Sequence, residues 1–259
     1  MKPITRISYS FLHLLACPYA SWLRYTAAVK APTTEYAARG IALHKALEIE
    51  HKDKEFNLNS AINIFKAEFK RIVDDEDVFI NWPKFKKMES DGCDYLERYY
   101  IGLKEGKFPV PTSVEEEFTI PFEGIEVVGK IDVEDNGEQL VVRDYKSASA
   151  KPDPWMLRHN LQFTCYAWAT LVKHGKLPDK LIWHHLKTGE LLETERTMQD
   201  VEQLQQIIRN AVQMNQLGIK HRVYHENVCD MCEYSGCRGR KNAICDDLEL
   251  EKKLSAELE

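Results

Sequence analysis

Two aspartates and a lysine fall within fifteen residues of one another, in Gly129-Lys130-Ile131-Asp132 and in Val141-Val142-Arg143-Asp144-Tyr145-Lys146. Carboxylates of this kind bind hard divalent cations, and an ammonium among them can serve acid-base chemistry or face developing negative charge. Asp144 and Lys146 are two apart, so on a strand their side chains share a face. The direction of Asp132 depends on the turn between the two strands. A two-residue turn at Asn136-Gly137 would set Asp132 against Val141, on the wrong face. An odd-numbered loop centred on Glu138 would set it across from Asp144. Two bare carboxylates about 4.5–5.5 Å apart at Cβ repel each other unless a cation lies between them. The odd loop is therefore the expectation. Isolated acids and lysines on strands usually form solvated surface pairs worth roughly 0–1 kcal/mol. Here they end an apolar run, Leu140-Val141-Val142, which should be central, and charges in such a place need a reason.

Three further features accompany them. His44 lies on a helix where Ile41, His44, Leu47, Glu48 and His51 recur at three- and four-residue steps, and Gly40 allows close backbone approach. Gln162 and Tyr166, four apart, share one helix face. The run Glu115-Glu116-Glu117 offers another acid without saying which. Separately, Cys229-x-x-Cys232-x-x-x-x-Cys237 has the spacing of a soft-metal or cluster site. A fourth ligand is needed, and either Cys245, closing a local zinc knot, or Cys17, joining the chain ends, would supply it. Cys93 and Cys165 read as ordinary buried thiols. Trp155 and Trp168 read as core residues rather than base-stacking ones. Lys220, Arg222, Arg238, Arg240 and Lys241 could contact phosphates, although such a basic run is usually a solvated face.

The elements that position these residues follow from patterning. Helical spacing runs from Ser8 to Val29 with a break at Cys17-Pro18, then over Glu35–His51, Ser60–Val73 and Pro83–Lys104. The prolines of Phe108-Pro109-Val110-Pro111-Thr112 end the helical part. Strands over 114–120, 125–134 and 140–145 form an antiparallel meander. A helix over 154–173 capped by Gly175, a strand over 181–185 and a long helix over 197–217 complete the pattern. With 44% apolar and 29% charged residues among 259, the chain can build a globular core. Thirty-five basic against 41 acidic residues, a net charge of -6, argue against a charge-driven grip on nucleic acid. Residues 246–259 alone carry six acids and two bases, leaving the body near -2. No apolar run is long enough to span a bilayer and no leader is evident, so a cytoplasmic protein is expected.

In this order and spacing, Gly40-x-x-x-His44, Gly129-x-x-Asp132, Asp144-Tyr145-Lys146-Ser147 and Gln162-x-x-x-Tyr166 resemble the PD-(D/E)XK nucleases of the RecB-like branch. Asp144 stands where many relatives carry Glu. The resemblance implies an α/β, restriction-endonuclease-like central mixed sheet flanked by helices. It implies one nuclease domain over 1–259, in which 1–30 and 218–245 form a cysteine-bound cap and 246–259 an acidic tail. His44, Asp132, Asp144 and the Tyr145 carbonyl would hold Mg2+ or Mn2+, and Lys146 would act on the attacking water, supported by Gln162 and Tyr166. Similarity to AddB-type helicase-nucleases and CRISPR-associated iron-sulfur exonucleases implies a 4Fe-4S cluster on Cys17, Cys229, Cys232 and Cys237. The implied substrate is DNA with single-stranded ends, cut to leave a 5'-phosphate and a 3'-hydroxyl, with recombination or CRISPR-adaptation proteins as partners. A non-catalytic DNA-binding subunit that keeps the fold, and a zinc-knuckle interaction module, are the competing readings.

Overall fold

The computed structural model describes residues 4–52, 56–76, 78, 80–221, 223, 234, 253 and 256. The chain divides into two compact units, one of residues 1–32, 119–129 and 202–259, the other of 33–118 and 130–201. Cys229, Cys232, Cys237 and Cys245, with Arg222, Arg238, Arg240 and Lys241, lie outside the described residues, as does most of the acidic tail.

The first unit opens with β1 (Arg6–Ser8), α1 (Tyr9–Leu14) and α2 (Pro18–Tyr25). Ser8 caps α1 by accepting from Phe11 N–H, and Pro18 occupies the first turn of α2, where its missing N–H costs nothing. Tyr19, Trp22 and Leu23 of α2 pack with Leu14 and Tyr234, and half-buried Cys17 lies at the fringe of this cluster. The Tyr234 hydroxyl donates to the Val29 carbonyl at 2.7 Å.

The second unit begins with α3 (Glu35–Lys52), α4 (Leu58–Asp75) and α5 (Trp82–Lys104), whose apolar faces meet in one core around Leu43, Leu47, Phe65, Phe69 and Leu96. Asn57 and Asn81 cap α4 and α5. The buried face of α3 keeps Leu47 and His51 of the expected one but not Ile41. It includes Ala38, Ala42 and Ala46, small residues at four-residue steps that permit close helix packing, while Ile41 is 52% exposed. His44 is thereby turned to the edge of the packed face.

β2 (Ser113–Phe122), β3 (Ile125–Asn136) and β4 (Leu140–Lys146) follow, then α6 (Pro154–Arg158), α7 (Leu161–His174), β5 (Lys180–His185), β6 (Glu190–Thr194) and α8 (Met198–Gln216). Strands hydrogen-bond in the order β1-β3-β4-β5-β6, with β2 also on β3. β4 is antiparallel to β3 and parallel to β5, which makes the sheet mixed. Glu123 and Gly124, both at positive φ, form the tight turn between β2 and β3. Two short strands, β1 and β6, were not anticipated. The single helix expected over 154–173 is two. Asn160 caps α7 by accepting from Phe163 N–H, and the Arg196 guanidinium donates to the Leu157 and Asn160 carbonyls on either side of the break. Gly175, left-handed at φ 73°, ends α7 as expected. Trp168 is buried, but Trp155 is 69% exposed and pairs with His159, so only one of the two tryptophans is a core residue. No described helix is long and apolar enough to cross a membrane.

Candidate active site

The β3–β4 register decides whether the two aspartates can meet. Asn136 faces Leu140 and Val133 faces Arg143, so the loop is Gly137-Glu138-Gln139, three residues centred on Glu138. Carried one step further, the same register sets Asp132 opposite Asp144, as the repulsion argument required. Beyond the paired residues, the Asp132 carboxylate inserts toward β4 and its Oδ2 accepts from Tyr145 N–H at 2.8 Å. Asp132 and Asp144 are 6% and 1% exposed, so each charge needs compensation.

Around Asp132 that compensation is a nest of hard donors. His44 Nδ1 lies 3.5 Å from Asp132 Oδ2 and 3.2 Å from Glu115 Oε1, and His44 Nε2 donates to the Tyr145 carbonyl at 3.0 Å. Ligand atoms of His44, Glu115 and Asp132 all lie within 4.8 Å of one another. Lys130, two residues before Asp132, holds the other Glu115 oxygen at 2.6 Å. Gly40 supplies the close approach expected of it, since a Cβ there would lie 3.3 Å from Ser147 Oγ. The nest opens into a cleft of about 350 Å3 that Gly40, Ile41, Lys45, Glu48 and Glu68 also line.

Around Asp144 the compensation is a closed ring. Lys146 Nζ lies 2.6 Å from Asp144 Oδ2 and donates to Gln162 Oε1 at 2.9 Å. Gln162 Nε2 donates to the Tyr166 hydroxyl at 2.8 Å, which donates to Asp144 Oδ1 at 3.2 Å. The four-residue spacing of Gln162 and Tyr166 on α7 lets one helix face close the ring. Lys146 also sits 5.3 Å above the Trp183 ring.

Charge follows from these contacts. Burial alone would lower the His44 pKa, but Asp132 and Glu115 hold it well above the ordinary imidazole value. Burial works against ionised Asp132, yet His44, Lys146 and the Tyr145 amide keep its carboxyl below the usual range. Burial, only partly opposed by Lys146, pushes Asp144 up to about 6. Two neighbouring acids thus hold protons with different strength, an arrangement characteristic of functional sites.

On the opposite face of β4, Tyr145 turns its ring into the core. Its hydroxyl bonds the Tyr99 hydroxyl at 2.8 Å, which bonds His51 Nε2 at 2.7 Å. Fully buried Arg143 pairs with Asp135 through two hydrogen bonds of 2.8 and 3.2 Å. The strand that carries the site is therefore fixed from behind.

All seven residues expected in the nuclease centre converge, in two groups: His44, Asp132 and the Tyr145 carbonyl in the nest; Asp144, Lys146, Gln162 and Tyr166 in the ring. Glu115 and Lys130 join them. The triple-glutamate run announced an acid, but only the backbone selects it: Glu115 sits at φ 51° and is turned inward, whereas Glu116 pairs with Lys173. The donor set of the nest, one imidazole with carboxylate and carbonyl oxygens, suits a hard divalent ion.

Residues 6–237 match the family described as the PD-(D/E)XK nuclease superfamily. Among solved structures the fold is similar to that of a protein from Eubacterium rectale named only provisionally as an exonuclease. It is 11% identical with a TM-score of 0.59, covering 93% of this chain and 92% of that one. A second, SSO0001, is 13% identical over 92% of this chain and 88% of its own, at a TM-score of 0.43. No curated protein matches the sequence.

Proposed function

The chain belongs to the PD-(D/E)XK nuclease superfamily, and from that membership we propose that it is a metal-dependent deoxyribonuclease of the RecB-like branch, acting as an exonuclease on single-stranded DNA ends. The observation that carries the reading is the nest of His44, Glu115 and Asp132 one strand away from the Lys146-Asp144 pair. His44, Asp132, Asp144 and the Tyr145 carbonyl, joined by Glu115, would hold Mg2+ or Mn2+. When bound, such an ion supplies positive charge for the phosphate oxygens and acidity for a water molecule. His44 would release its proton on taking part as a ligand. Lys146, its side chain 24% exposed, orients the attacking water and faces the charge that develops on the phosphoryl oxygens. Gln162 Oε1 aims that ammonium, and Tyr166 holds both Gln162 and Asp144 in place. In-line attack of water at phosphorus, breaking the bond to the 3'-oxygen as leaving group, leaves a 5'-phosphate and a 3'-hydroxyl.

The same reading gives Cys17, Cys229, Cys232 and Cys237 a 4Fe-4S cluster that closes the single domain as a cap. Its support is the cluster beside Cys17, where Tyr234, two residues after Cys232 and three before Cys237, is buried against α2. Closing a loop of that length would stabilise the fold by on the order of 5 kcal/mol. The setting is cytoplasmic recombination, repair or CRISPR adaptation, with the proteins of those processes as partners.

The test is incubation of anaerobically purified protein with end-labelled single- and double-stranded DNA and Mn2+, with and without chelator. Cleavage should require the ion. Lys146→Ala should lose about 10²- to 10³-fold in rate, the scale for removing one electrostatic stabiliser, with an unchanged circular dichroism spectrum. A fully active Lys146→Ala protein would exclude the assignment.

A further inference from the structure

Lys130 is the cation of the cleft that the nuclease reading leaves without a task. Of the four acids lining the cleft, two are neutralised within their own helices: Glu48 by Lys45 and Lys52, and Glu68 by Arg71. Asp132 faces His44. Glu115 is different, because its two oxygens face two different groups. Oε1 turns to His44 inside the nest, and Oε2 is taken at 2.6 Å by Lys130, which arrives from β3. The Glu115 side chain is only 6% exposed and its backbone is held at φ 51°, so it cannot simply swing away into solvent. Lys130 is 47% exposed and lies two residues from Asp132, on the same face of β3. The ammonium thus stands on the outer oxygen of a carboxylate whose inner oxygen belongs to the donor nest.

We propose that Lys130 is a built-in counter-ion that holds Glu115 to one-oxygen participation and sets how tightly the site takes a divalent cation. The inference rests on the metal-dependent nuclease reading and deepens it. Once His44 has released its proton to act as a ligand, the carboxylates Glu115 and Asp132 together with Lys130 carry a net charge of -1, and without Lys130 they carry -2. An ammonium and a divalent ion that share one carboxylate repel each other, and in a partly solvated cleft that repulsion amounts to about tenfold in dissociation constant. A weakened site keeps the ion exchangeable and leaves its coordination to be completed by a substrate phosphate.

The experiment is titration of the full chain with Mn2+ alone, in the absence of nucleic acid, followed by calorimetry and by the electron paramagnetic resonance signal of free Mn2+. Lys130→Met should lower the dissociation constant about tenfold or more, Lys130→Gln should do the same, and Lys130→Arg should leave it near the wild-type value. In a Glu115→Gln background the Lys130→Met change should shrink to less than about twofold, because the effect runs through that carboxylate. Equal or weaker Mn2+ binding by Lys130→Met and Lys130→Gln overturns the proposal while wild-type binding leaves the nuclease reading intact. A gain that persists in Glu115→Gln overturns it as well. Wild-type protein that binds no Mn2+, or binding indifferent to Asp132→Asn, overturns the metal site itself and this inference with it.

Discussion

Replacing Asp144 by Asn should make the metal-free protein more stable while removing its activity. In the folded chain the Asp144 carboxyl is 1% exposed, and burial, with Asp132 close by, raises it from an ordinary 3.8 to about 6 despite the ammonium of Lys146. At about 1.4 kcal/mol per pH unit, ionised Asp144 costs the fold about 3 kcal/mol at pH 8. Asparagine keeps the shape and an oxygen for the Tyr166 hydroxyl, which sits 3.2 Å away, but carries no charge to bury. Part of the gain is lost because Lys146 keeps Gln162 but loses an opposite charge, so a net gain of about 1–3 kcal/mol is expected. The sign with pH is fixed. Between about 6 and 3.8 the folded protein binds this proton more readily than the unfolded chain, so wild-type stability rises as pH falls through that window. The advantage of Asp144→Asn should therefore be full above pH 6 and vanish near pH 4. Urea unfolding of both proteins in chelator at pH 8, 6 and 4 measures it. An Asp144→Asn protein no more stable than wild type at pH 8, or a gain that persists at pH 4, would refute the reasoning.

Behind the site, Arg143→Met should lose about 3–5 kcal/mol by stranding the buried Asp135 carboxylate, whereas adding Asp135→Leu should recover much of it; urea midpoints of the two variants compare them. Gly92→Ala should destabilise by about 1–3 kcal/mol although alanine favours helix, because the new methyl would lie 2.1 Å from the fully buried Phe65 ring; thermal unfolding reads the loss. Anaerobically purified protein should be brown with visible charge-transfer absorbance, and Cys17→Ser should lose iron and colour. A colourless wild type favours the zinc alternative, and full iron in Cys17→Ser removes that residue from the ligand set.

What the sequence made legible and what it hid have physical causes. Asp132, Asp144 and Lys146 could be placed together because strand alternation has a fixed period and because two opposed carboxylates demand compensation, which selected the three-residue loop at Gly137-Glu138-Gln139 over the tempting Asn136-Gly137 turn. Helical spacing put Gln162 and Tyr166 on one face, and their place in the site came from the resemblance to the nuclease family. The break between α6 and α7 was not legible, since Arg196, which donates to the carbonyls on either side of it, lies 36 residues beyond Asn160. The buried side of α3 was misjudged at Ile41, which faces out, whereas Leu47 packs in the core and Ala38, Ala42 and Ala46 extend the packed surface. Lys130 carried no signal, because its meaning depends on which glutamate faces it.

Glu115 shows how neighbouring copies of one letter can stand for different things. Its left-handed backbone works as a selector that admits one acid and sends the next outward to Lys173. Deleting or inserting a single residue in this stretch would leave the composition of the run almost untouched and yet exchange the admitted side chain for its neighbour, aimed elsewhere. Tolerance to substitution and tolerance to shift are therefore separate properties at this place, and the second should be far the smaller.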